Sequence, residues 1–202
     1  MQAHPYPARK GVQAHGLWQD RRGNLLVPMR DAGGHLWGTQ TISAEGRKLY
    51  MRDGRKQEMH AMLGELRDPG VPLLIAESFA TAATLHEATG LPVAVAFDAC
   101  NLLAVAKAHR ERDPARPLIF AADNDHGLPL GDPPLPNVGK EKAETAAREV
   151  GGTVLLPHFA LDEAGTDWND WAAKHGKRAV RELVEAVPTL GQAMRDAARR
   201  QI

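Results

Sequence analysis

Two patterns of apolar residues divide the chain near residue 66. Before that point, short stretches of alternating apolar and polar residues are separated by glycine-containing turns, which is typical of an antiparallel meander. The predicted strands of this part are 25–29, 36–42 and 48–51. Beyond it, continuous apolar runs alternate with segments of helical length, which predicts a parallel sheet with right-handed crossovers. Its predicted strands are 71–76, 92–97, 117–122 and 153–156, and its predicted helices are 79–88, 100–112, 139–150, one from about residue 167 and one over 189–200.

These patterns predict an α/β fold in which helices flank a Rossmann-like parallel sheet and a small antiparallel β region precedes it. The length of 202 residues suits one such domain with a small appendage. The predicted units are a flexible N-terminal lead-in at 1–16, a small β-rich region at 17–66, the parallel-sheet domain at 67–187 and a C-terminal helix at 188–202.

Acidic residues stand where predicted parallel strands end. Glu77 follows the run 71–76, and Asp123 and Asp125 follow the run 117–122 as Asp-Asn-Asp. Because loops after the carboxyl ends of parallel strands meet at one edge of the sheet, we expect these side chains to lie close together. Carboxylate oxygens select Mg²⁺ or Mn²⁺ over softer metals. The pattern therefore indicates metal-dependent phosphoryl transfer, with nucleic acid as the expected substrate.

A third acidic segment follows the last predicted strand. Asp167 and Asp170 lie three residues apart on one face of a predicted helix start, within reach of the same sheet edge. Structural interpretations stay open for all of these acids: Asp-Asn-Asp suits a turn, Glu77 suits a helix N-terminus, and Asp167 suits an N-cap. Trp168 and Trp171 either stack on bases or pack the helix onto the sheet.

Basic residues are the candidates for contact with phosphate. Lys140 and Lys142 begin a predicted helix after Gly139, and a helix N-terminus favours phosphate. A second group surrounds the third predicted strand and would follow a DNA backbone. Its members are Arg47, Lys48, Arg52, Arg55 and Lys56. A solvated surface is the alternative interpretation of both groups.

Composition narrows the classes of function. Lys+Arg and Asp+Glu balance at 25 each, but residues 1–66 carry ten basic against six acidic side chains, and the remainder carries 15 against 19. A basic front and an acidic back suit DNA contact beside a metal site. The single cysteine, Cys100, excludes an internal disulfide and a cysteine-rich zinc site. Without a signal peptide or a long apolar run, the expectation is a cytoplasmic protein with no membrane partner.

The acidic segments and their flanking sequences resemble a Toprim domain. The stretches ESFATAATLHEATGLPVAVAFDACNL, FAADND and GTDWNDW are similar to those of primase-like Toprim proteins of plasmids, phages and conjugative elements, which are related to DnaG-type primases. The upstream β region is similar to the one that precedes Toprim in those proteins. The resemblance covers residues 17–185, and it implies that the parallel sheet has the Toprim fold.

The resemblance also implies an activity, which is nucleotidyl transfer on single-stranded DNA with nucleotides and Mg²⁺ or Mn²⁺. Glu77 matches the Toprim glutamate, a general base in strand synthesis or a general acid in strand cleavage. Asp123 and Asp125 match the metal-binding Asp-x-Asp. Asp167 matches a further acid near the metals, and Asp170 stands where it would compensate for a missing one. A helicase, a relaxase or a zinc-binding primase domain would be the partner.

Four positions depart from the primase pattern. Ser78 replaces a glycine, and Thr81 and Asn169 replace aspartates. Asp98 stands where those primases tend to have a small residue. The acidic set is therefore reduced. A Toprim nuclease, which uses the same acids for cleavage, stays an alternative, and so does a non-catalytic DNA-binding or recruitment module, which Thr81 favours.

Overall fold

The protein contains an antiparallel sheet of four strands and a mixed, mostly parallel sheet of five strands with helices on both faces. The predicted fold class is confirmed. The computed structural model describes residues 4–66, 68, 70–160, 162–187, 190 and 192.

The antiparallel sheet comes first and follows the order of the chain. Its strands are β1 (Trp18–Gln19), β2 (Leu25–Arg30), β3 (Leu36–Ile42) and β4 (Lys48–Tyr50). Along β2, every second side chain is buried, which is the alternation visible in the sequence. Lys48 pairs with buried Ile42, and Tyr50 pairs with buried Gln40. Because directly paired residues share a face, both β4 side chains lie on the inner face of this sheet.

The second sheet consists of β5 (Ala61–Leu63), β6 (Leu73–Ala76), β7 (Val93–Val95), β8 (Leu118–Ala121) and β9 (Thr153–Leu155). Its spatial order is β5-β7-β6-β8-β9. β5 is antiparallel to β7, and the other four strands are parallel. β6, β7 and β8 are buried on both faces, which accounts for their continuous apolar sequences.

Five α-helices have bounds within the residues that the structure describes. They are α1 (Pro5–Lys10), α2 (Phe79–Thr89), α3 (Leu102–Arg112), α4 (Val138–Val150) and α5 (Trp168–Glu185). α2 and α5 share one hydrophobic cluster, and α3 and α4 share the other, so the two pairs cover opposite faces of the second sheet. α2 begins at the N-cap Ser78 and ends at Gly90, whose φ of 74° is left-handed, as its sequence predicts. Among the described helices, none has the length and apolar content to cross a bilayer.

The segment predicted as a flexible lead-in at 1–16 is folded and packed from its fourth residue. α1 occupies the middle of it, and Tyr6 is only 3% exposed. The Glu87 carboxylate accepts a hydrogen bond from the Gln13 N–H at 2.7 Å and lies 2.7 Å from His15 Nε2. The helix escapes sequence analysis because six residues are too few to show a helical period.

Two further differences from the prediction concern β5 and the start of α3. β5 lies within the predicted β-rich region 17–66, yet it pairs with β7 in the second sheet. A 3₁₀ turn at Ala99–Asn101 precedes α3, where one helix from residue 100 is predicted. The C-terminal helix predicted over 188–202 lies almost entirely outside the described residues.

Candidate active site

Four acidic residues meet at the carboxyl end of the second sheet. Glu77 follows β6, while Asp123 and Asp125 follow β8. Asp167 precedes the first residue of α5. β6 and β8 are adjacent and parallel, so the backbone places Glu77 beside Asp123. The negative charges of Glu77, Asp167 and Asp125 each raise the pKa of Asp123, so all three acids lie within electrostatic reach of Asp123.

Glu77 and Asp123 each carry a buried carboxylate oxygen without a hydrogen-bond partner, Oε1 and Oδ1 respectively. Burial raises the pKa of Glu77 to about 7, and the charges of Asp125 and Asp98 add to the increase. Burial, together with the negative charge of Glu77, raises the pKa of Asp123 to about 8. Two carboxylates this close repel each other when both are ionised, so a cation or a shared proton is needed to relieve them.

Gly139, in the first turn of α4, lets this helix approach the two acids. A Cβ atom at this position would lie 2.8 Å from Glu77 Oε1 and 3.0 Å from the backbone oxygen of Asp123. The position therefore requires glycine, although glycine costs about 1 kcal/mol in a helix relative to alanine. In the sequence, Gly139 is noted only as the residue that precedes two lysines. The low helix propensity of glycine is the signal that could have pointed to a special role at this position.

The residues after Glu77 that depart from the primase pattern have structural roles. Ser78 Oγ accepts a hydrogen bond from the Thr81 N–H at 3.2 Å and lies 3.1 Å from Thr81 Oγ1. Thr81 is fully buried. Thr81 thus belongs to the N-cap of α2 and supplies no acid to the site.

Asp167 and Asp170 both take part in capping α5. Asp167 Oδ1 accepts a hydrogen bond from the Asp170 N–H at 2.7 Å, so its N-cap interpretation holds. Asp170 accepts a bond from the Thr166 N–H at 3.3 Å and lies 3.6 Å from Lys10 Nζ. Burial raises the pKa of Asp167, the charge of Asp170 adds to this, and Lys10 opposes it. Asp167 thus combines a capping role with a position among the acids.

Asn169, which stands where the primase pattern has an aspartate, is buried away from solvent. Its Nδ2 donates to the backbone oxygen of Lys10 at 2.7 Å and to Thr84 Oγ1 at 2.9 Å. These bonds connect the end of α1 and α2 to α5. The amide is therefore explained by packing, because a buried carboxylate could not donate to either oxygen.

The fit of this site to a metal depends on two of its acids. Among the residues that the structure describes, no group of three or more His, Cys, Asp or Glu side chains is arranged to hold a metal ion. Mg²⁺ is often bound by one or two carboxylates, with water and substrate phosphates as its other ligands. The unpaired oxygens of Glu77 and Asp123 meet that smaller requirement. They fit Mg²⁺ or Mn²⁺, both of which prefer oxygen.

Asn124, the middle residue of Asp-Asn-Asp, connects three loops. Its N–H donates to the Thr166 backbone oxygen at 2.6 Å, and its Nδ2 donates to the Pro157 oxygen at 2.9 Å. Its Oδ1 accepts a bond from Asn137 Nδ2 at 2.8 Å, and Asn137 Oδ1 accepts one from the Asp125 N–H at 3.2 Å. Asn124 and Asn137 therefore fix the acidic loop to its neighbours. This role cannot be seen in the sequence, because the hydrogen-bonded residues are separated by 12 to 42 positions along the chain.

A basic cavity adjoins the acids on the side of the antiparallel sheet. Lys48 is exposed as a residue, but desolvation of its ammonium lowers its pKa, while Asp123 and Asp167 raise it. The charged residues that line a cavity of about 270 Å³ are Arg9, Lys10 and Lys48 together with Glu45 and Asp167. Lys48 is a predicted site residue, whereas Arg9 and Lys10 are missed because they lie in the segment predicted to be flexible.

The other basic residues around β4 have different surroundings. Lys56 pairs with Asp98 and lies 5.2 Å from the centroid of the Tyr50 ring. Arg55 pairs with Glu58. Arg47 and Arg52 are exposed, as are Lys48 and Arg55, and Lys56 is half-buried. Asp98, the extra acid relative to the primase pattern, is thus partly neutralised by a lysine that the sequence predicts for DNA contact.

The lysines of α4 differ in their distance from the acidic loop. Lys140 lines an open cavity of about 580 Å³ together with Asn124 and His126, and its Nζ lies 3.9 Å from Glu144. Lys142 is exposed one turn into the helix. Lys140 therefore borders the acidic loop.

The two tryptophans pack α5 onto the sheet. Trp168 is fully buried and Trp171 is 8% exposed. Trp171 Nε1 donates to the His158 backbone oxygen at 3.1 Å. The packing alternative is confirmed, since neither ring is free to stack on a base.

Comparison with known proteins places this arrangement in a family. Residues 72–178 match the model of the Toprim domain. The chain belongs to the Toprim family. The match begins just before β6 and ends in α5, so it includes all the acids at the sheet edge. The Toprim resemblance predicted from sequence is confirmed.

The Toprim chain is also similar to primases. It is 41% identical to DNA primase TraC of Escherichia coli over 165 residues, which are 79% of this chain and 11% of the relative. The primase fragment of the bacteriophage T7 primase-helicase protein matches with a TM-score of 0.63 and 17% identity, over 90% of this chain and 73% of that one. The DnaG primase catalytic domain bound to ssDNA matches with a TM-score of 0.53 and 16% identity, over 94% and 61%. The two solved structures share the fold, and the chain spans about a ninth of the length of TraC.

Proposed function

We propose that this Toprim protein is a primase-like nucleotidyltransferase that acts on single-stranded DNA with Mg²⁺ or Mn²⁺, in plasmid, phage or conjugative DNA replication. The observation that carries the proposal is the pair of unpaired, buried oxygens of Glu77 and Asp123 beside the cavity that Arg9, Lys10 and Lys48 line. Acids for a metal and cations for phosphate are what phosphoryl transfer requires. Similarity to a DNA primase supports the same activity.

The proposed roles follow from the position of each side chain. Glu77 would accept the proton of the attacking hydroxyl, because a pKa that burial raises to about 7 suits a general base at neutral pH. Asp123 and the Glu77 carboxylate would hold the divalent metal, with Asp125 and Asp167 beside them. When bound, that metal supplies charge neutralisation at the phosphates and acidifies the attacking hydroxyl.

Cations on both sides of the acids would bind phosphates. Arg9, Lys10 and Lys48 share a cavity with Asp167, so they are placed to bind the phosphates of the nucleotide. Contacts with the DNA strand are proposed for the remaining predicted residues, which are Lys140, Lys142, Arg47, Arg55 and Lys56.

One gel tests the proposal. End-labelled single-stranded DNA is incubated with mixed nucleotides and Mg²⁺ or Mn²⁺, with wild-type protein, Asp123→Asn or the matched control Asp53→Asn. Asp53 has a side chain that is 93% exposed, and the asparagine tolerates its positive φ of 57°. We expect longer or new template-directed products with wild type and with the control, and at least a 100-fold decrease with Asp123→Asn. Thermal melting of each variant shows whether the fold is retained.

The other products of that gel decide between the alternatives. Shorter products that depend on Asp123 would replace the synthetic activity with that of a Toprim nuclease. An unchanged DNA ladder in every lane would favour a non-catalytic binding module, in agreement with the missing acid at Thr81. Synthesis by Asp123→Asn at the wild-type level would contradict the assigned role of the acids.

A partner is the second part of the proposal. The matched relative TraC is about nine times longer than the aligned region, and the matched T7 protein is a primase-helicase. We infer that a helicase, a relaxase or a zinc-binding primase domain works with this chain. Addition of such a partner to the gel is expected to increase product yield, and an unchanged yield with every one of them would argue against this inference.

A further inference from the structure

A stacked pair of aromatic rings lies beside the acidic edge and has no part in the roles proposed above. His126 directly follows Asp-Asn-Asp, and the centroid of its ring lies 5.3 Å from that of Phe159, with an angle of 11° between the ring planes. This is the stacked geometry that aromatic pairs favour. Both residues are half-buried, so the pair retains accessible surface.

Both rings are held in place before any ligand binds. Gly165 has a φ of 130°, and a Cβ atom there would lie 2.6 Å from Phe159 Cε1, so glycine makes room for the phenyl ring. The Lys174 ammonium lies 5.9 Å from the Phe159 centroid. The His126 N–H donates to the Asn124 oxygen at 2.7 Å, and His126 Nδ1 lies 3.3 Å from the same oxygen. Because a carbonyl oxygen only accepts, a proton on Nδ1 would give the ring a hydrogen bond to this oxygen.

The position of the pair connects it to the acids. His126 lines two open cavities at the acidic edge. The first, of about 580 Å³, is also lined by Lys140, whose ammonium lies 3.9 Å from Glu144, and the second, of about 350 Å³, is also lined by Asp125. A flat ligand on this ring would therefore lie between a cation that suits phosphate and an acid of the proposed metal site.

We propose that His126, supported by Phe159, is a stacking platform for a nucleobase of the molecule on which the acids act. The proposal rests on the function proposed above, and it names a binding residue that the Toprim motifs do not include. Stacking is tolerant of sequence, because every base has a π face. That property suits an enzyme that works on varied templates. The base belongs either to the DNA strand or to the incoming nucleotide.

The variants His126→Ala and His126→Phe test the platform. The first removes the flat ring, and the second keeps the ring but removes both ring nitrogens. Binding of a fluorescent single-stranded oligonucleotide is measured by anisotropy in Mg²⁺, with an intact strand and with strands that carry one abasic site at each position in turn. The KM for mixed nucleotides is measured in parallel, and the melting temperature of each variant is recorded.

If the base is that of the strand, we expect His126→Ala to weaken binding of the intact strand about 5- to 100-fold, the range that loss of one stacked base gives. One abasic position is expected to weaken binding by wild type to the same extent and to have no further effect on His126→Ala. If the base is that of the nucleotide, strand affinity stays the same and KM increases by a similar factor while kcat changes less than twofold. His126→Phe is expected to restore the affected constant to within about threefold.

Three results would overturn the platform. The first is that His126→Ala changes neither the strand affinity nor the KM. The second is that His126→Phe binds as weakly as His126→Ala, which would assign the effect to a ring nitrogen. The third is a decrease in kcat alone. The binding measurement requires no synthesis, so its result is separate from that of the proposed function. If synthesis depends on Asp123 but substitution of His126 has no effect, only the stacking platform is refuted. If strand binding depends on a base at His126 but no synthesis occurs, only the proposed enzymatic function is refuted.

Discussion

The acidic and basic sides of the candidate site are built in different ways. Glu77 is one residue beyond β6, and Asp123 is two residues beyond β8, so the parallel sheet alone brings them together. The basic side uses Lys48 from the antiparallel sheet and Arg9 and Lys10 from α1, so its geometry depends on contacts between distant segments. We therefore expect a small backbone change on the acidic side to abolish most of the activity. Removal of a single cation on the basic side is expected to reduce activity by a smaller factor.

The largest effect is expected from Gly139→Ala, which breaks the acidic side without removing an acid. The new methyl group would lie 2.8 Å from Glu77 Oε1 and 3.0 Å from the Asp123 backbone oxygen. The side chain can rotate away, but the backbone oxygen has to move with its loop. We expect nucleotide incorporation to fall by more than tenfold, because the Asp123 loop has to shift by a few tenths of an ångström and a displacement of about 1 Å at a reacting group costs about 100-fold.

The control for Gly139→Ala is Gly131→Ala in the preceding loop. Gly131 has a φ of −75°, and its Cβ would meet its nearest neighbour, the Leu128 oxygen, at an ordinary 3.4 Å. This variant is expected to keep activity within twofold. Equal activity of the two variants in the incorporation assay would refute the view that α4 fits closely against the acids.

A smaller effect is expected on the basic side from Lys48→Met, compared with Lys56→Met. Both changes remove an ammonium group and keep most of the stem. Lys48 faces the acids, whereas Lys56 is paired with Asp98 at the surface. We expect KM for nucleotides to increase about tenfold with Lys48→Met, the value of one charge-assisted hydrogen bond, and at most about fivefold with Lys56→Met. Steady-state kinetics that rank the two variants in the opposite order would contradict the assignment of Lys48 to the nucleotide phosphates.

The same contrast explains what the sequence predicts. Glu77, Asp123 and Asp125 can be found in sequence because a continuous apolar run followed by an acid marks a strand end, and parallel strand ends share one edge. Arg9 and Lys10 cannot be found, since a six-residue helix has no readable period and acquires its place through Asn169 and other distant partners. Asn169 itself was readable as a missing acid, but its bonds to Lys10 and Thr84 are visible only in three dimensions.

The contacts that hold α1 and the following segment provide the next test, through Glu87→Gln. The Glu87 side chain is 11% exposed, it pairs with Lys177, and it accepts a bond from the Gln13 N–H at 2.7 Å. We expect a loss of about 1–3 kcal/mol in the free energy of unfolding, because a buried charged partner is removed. The matched control Glu182→Gln, at an exposed pair with Arg178, is expected to cost below about 0.5 kcal/mol.

The pH dependence of Glu87 has a defined sign. Burial alone would raise the pKa of Glu87. The hydrogen bonds from Lys177, Gln13 and His15 outweigh this effect, so the pKa is lowered overall. A depressed pKa in the folded state contributes stability above the unfolded pKa, near 4.3, and this contribution is lost as the pH falls through the lower folded value. Urea unfolding at pH 7 and pH 3 is therefore expected to show a smaller difference between wild type and Glu87→Gln at pH 3. A difference that stays constant would assign the effect to packing.

The smallest effect is expected where the two sheets join, at the buried pair His60 and His109, whose Nε2 atoms are 3.0 Å apart. Burial, with the positive charges of His60 and Arg116 as smaller causes, lowers the pKa of His109 to about 3. Because the unfolded histidine takes up its proton near pH 6.5, stability is complete above that pH and falls as the pH decreases toward 3. Between pH 7.5 and 5.5 we expect His109 to account for a loss of about 1 kcal/mol, and His109→Gln, which cannot take up the proton, to lose less by that amount in urea titrations. The window lies above that of Glu87, so the two contributions separate. If the free energy of unfolding of wild type and of His109→Gln depends on pH to the same extent, protonation of His109 does not affect stability. Other contacts would then hold the antiparallel region in place.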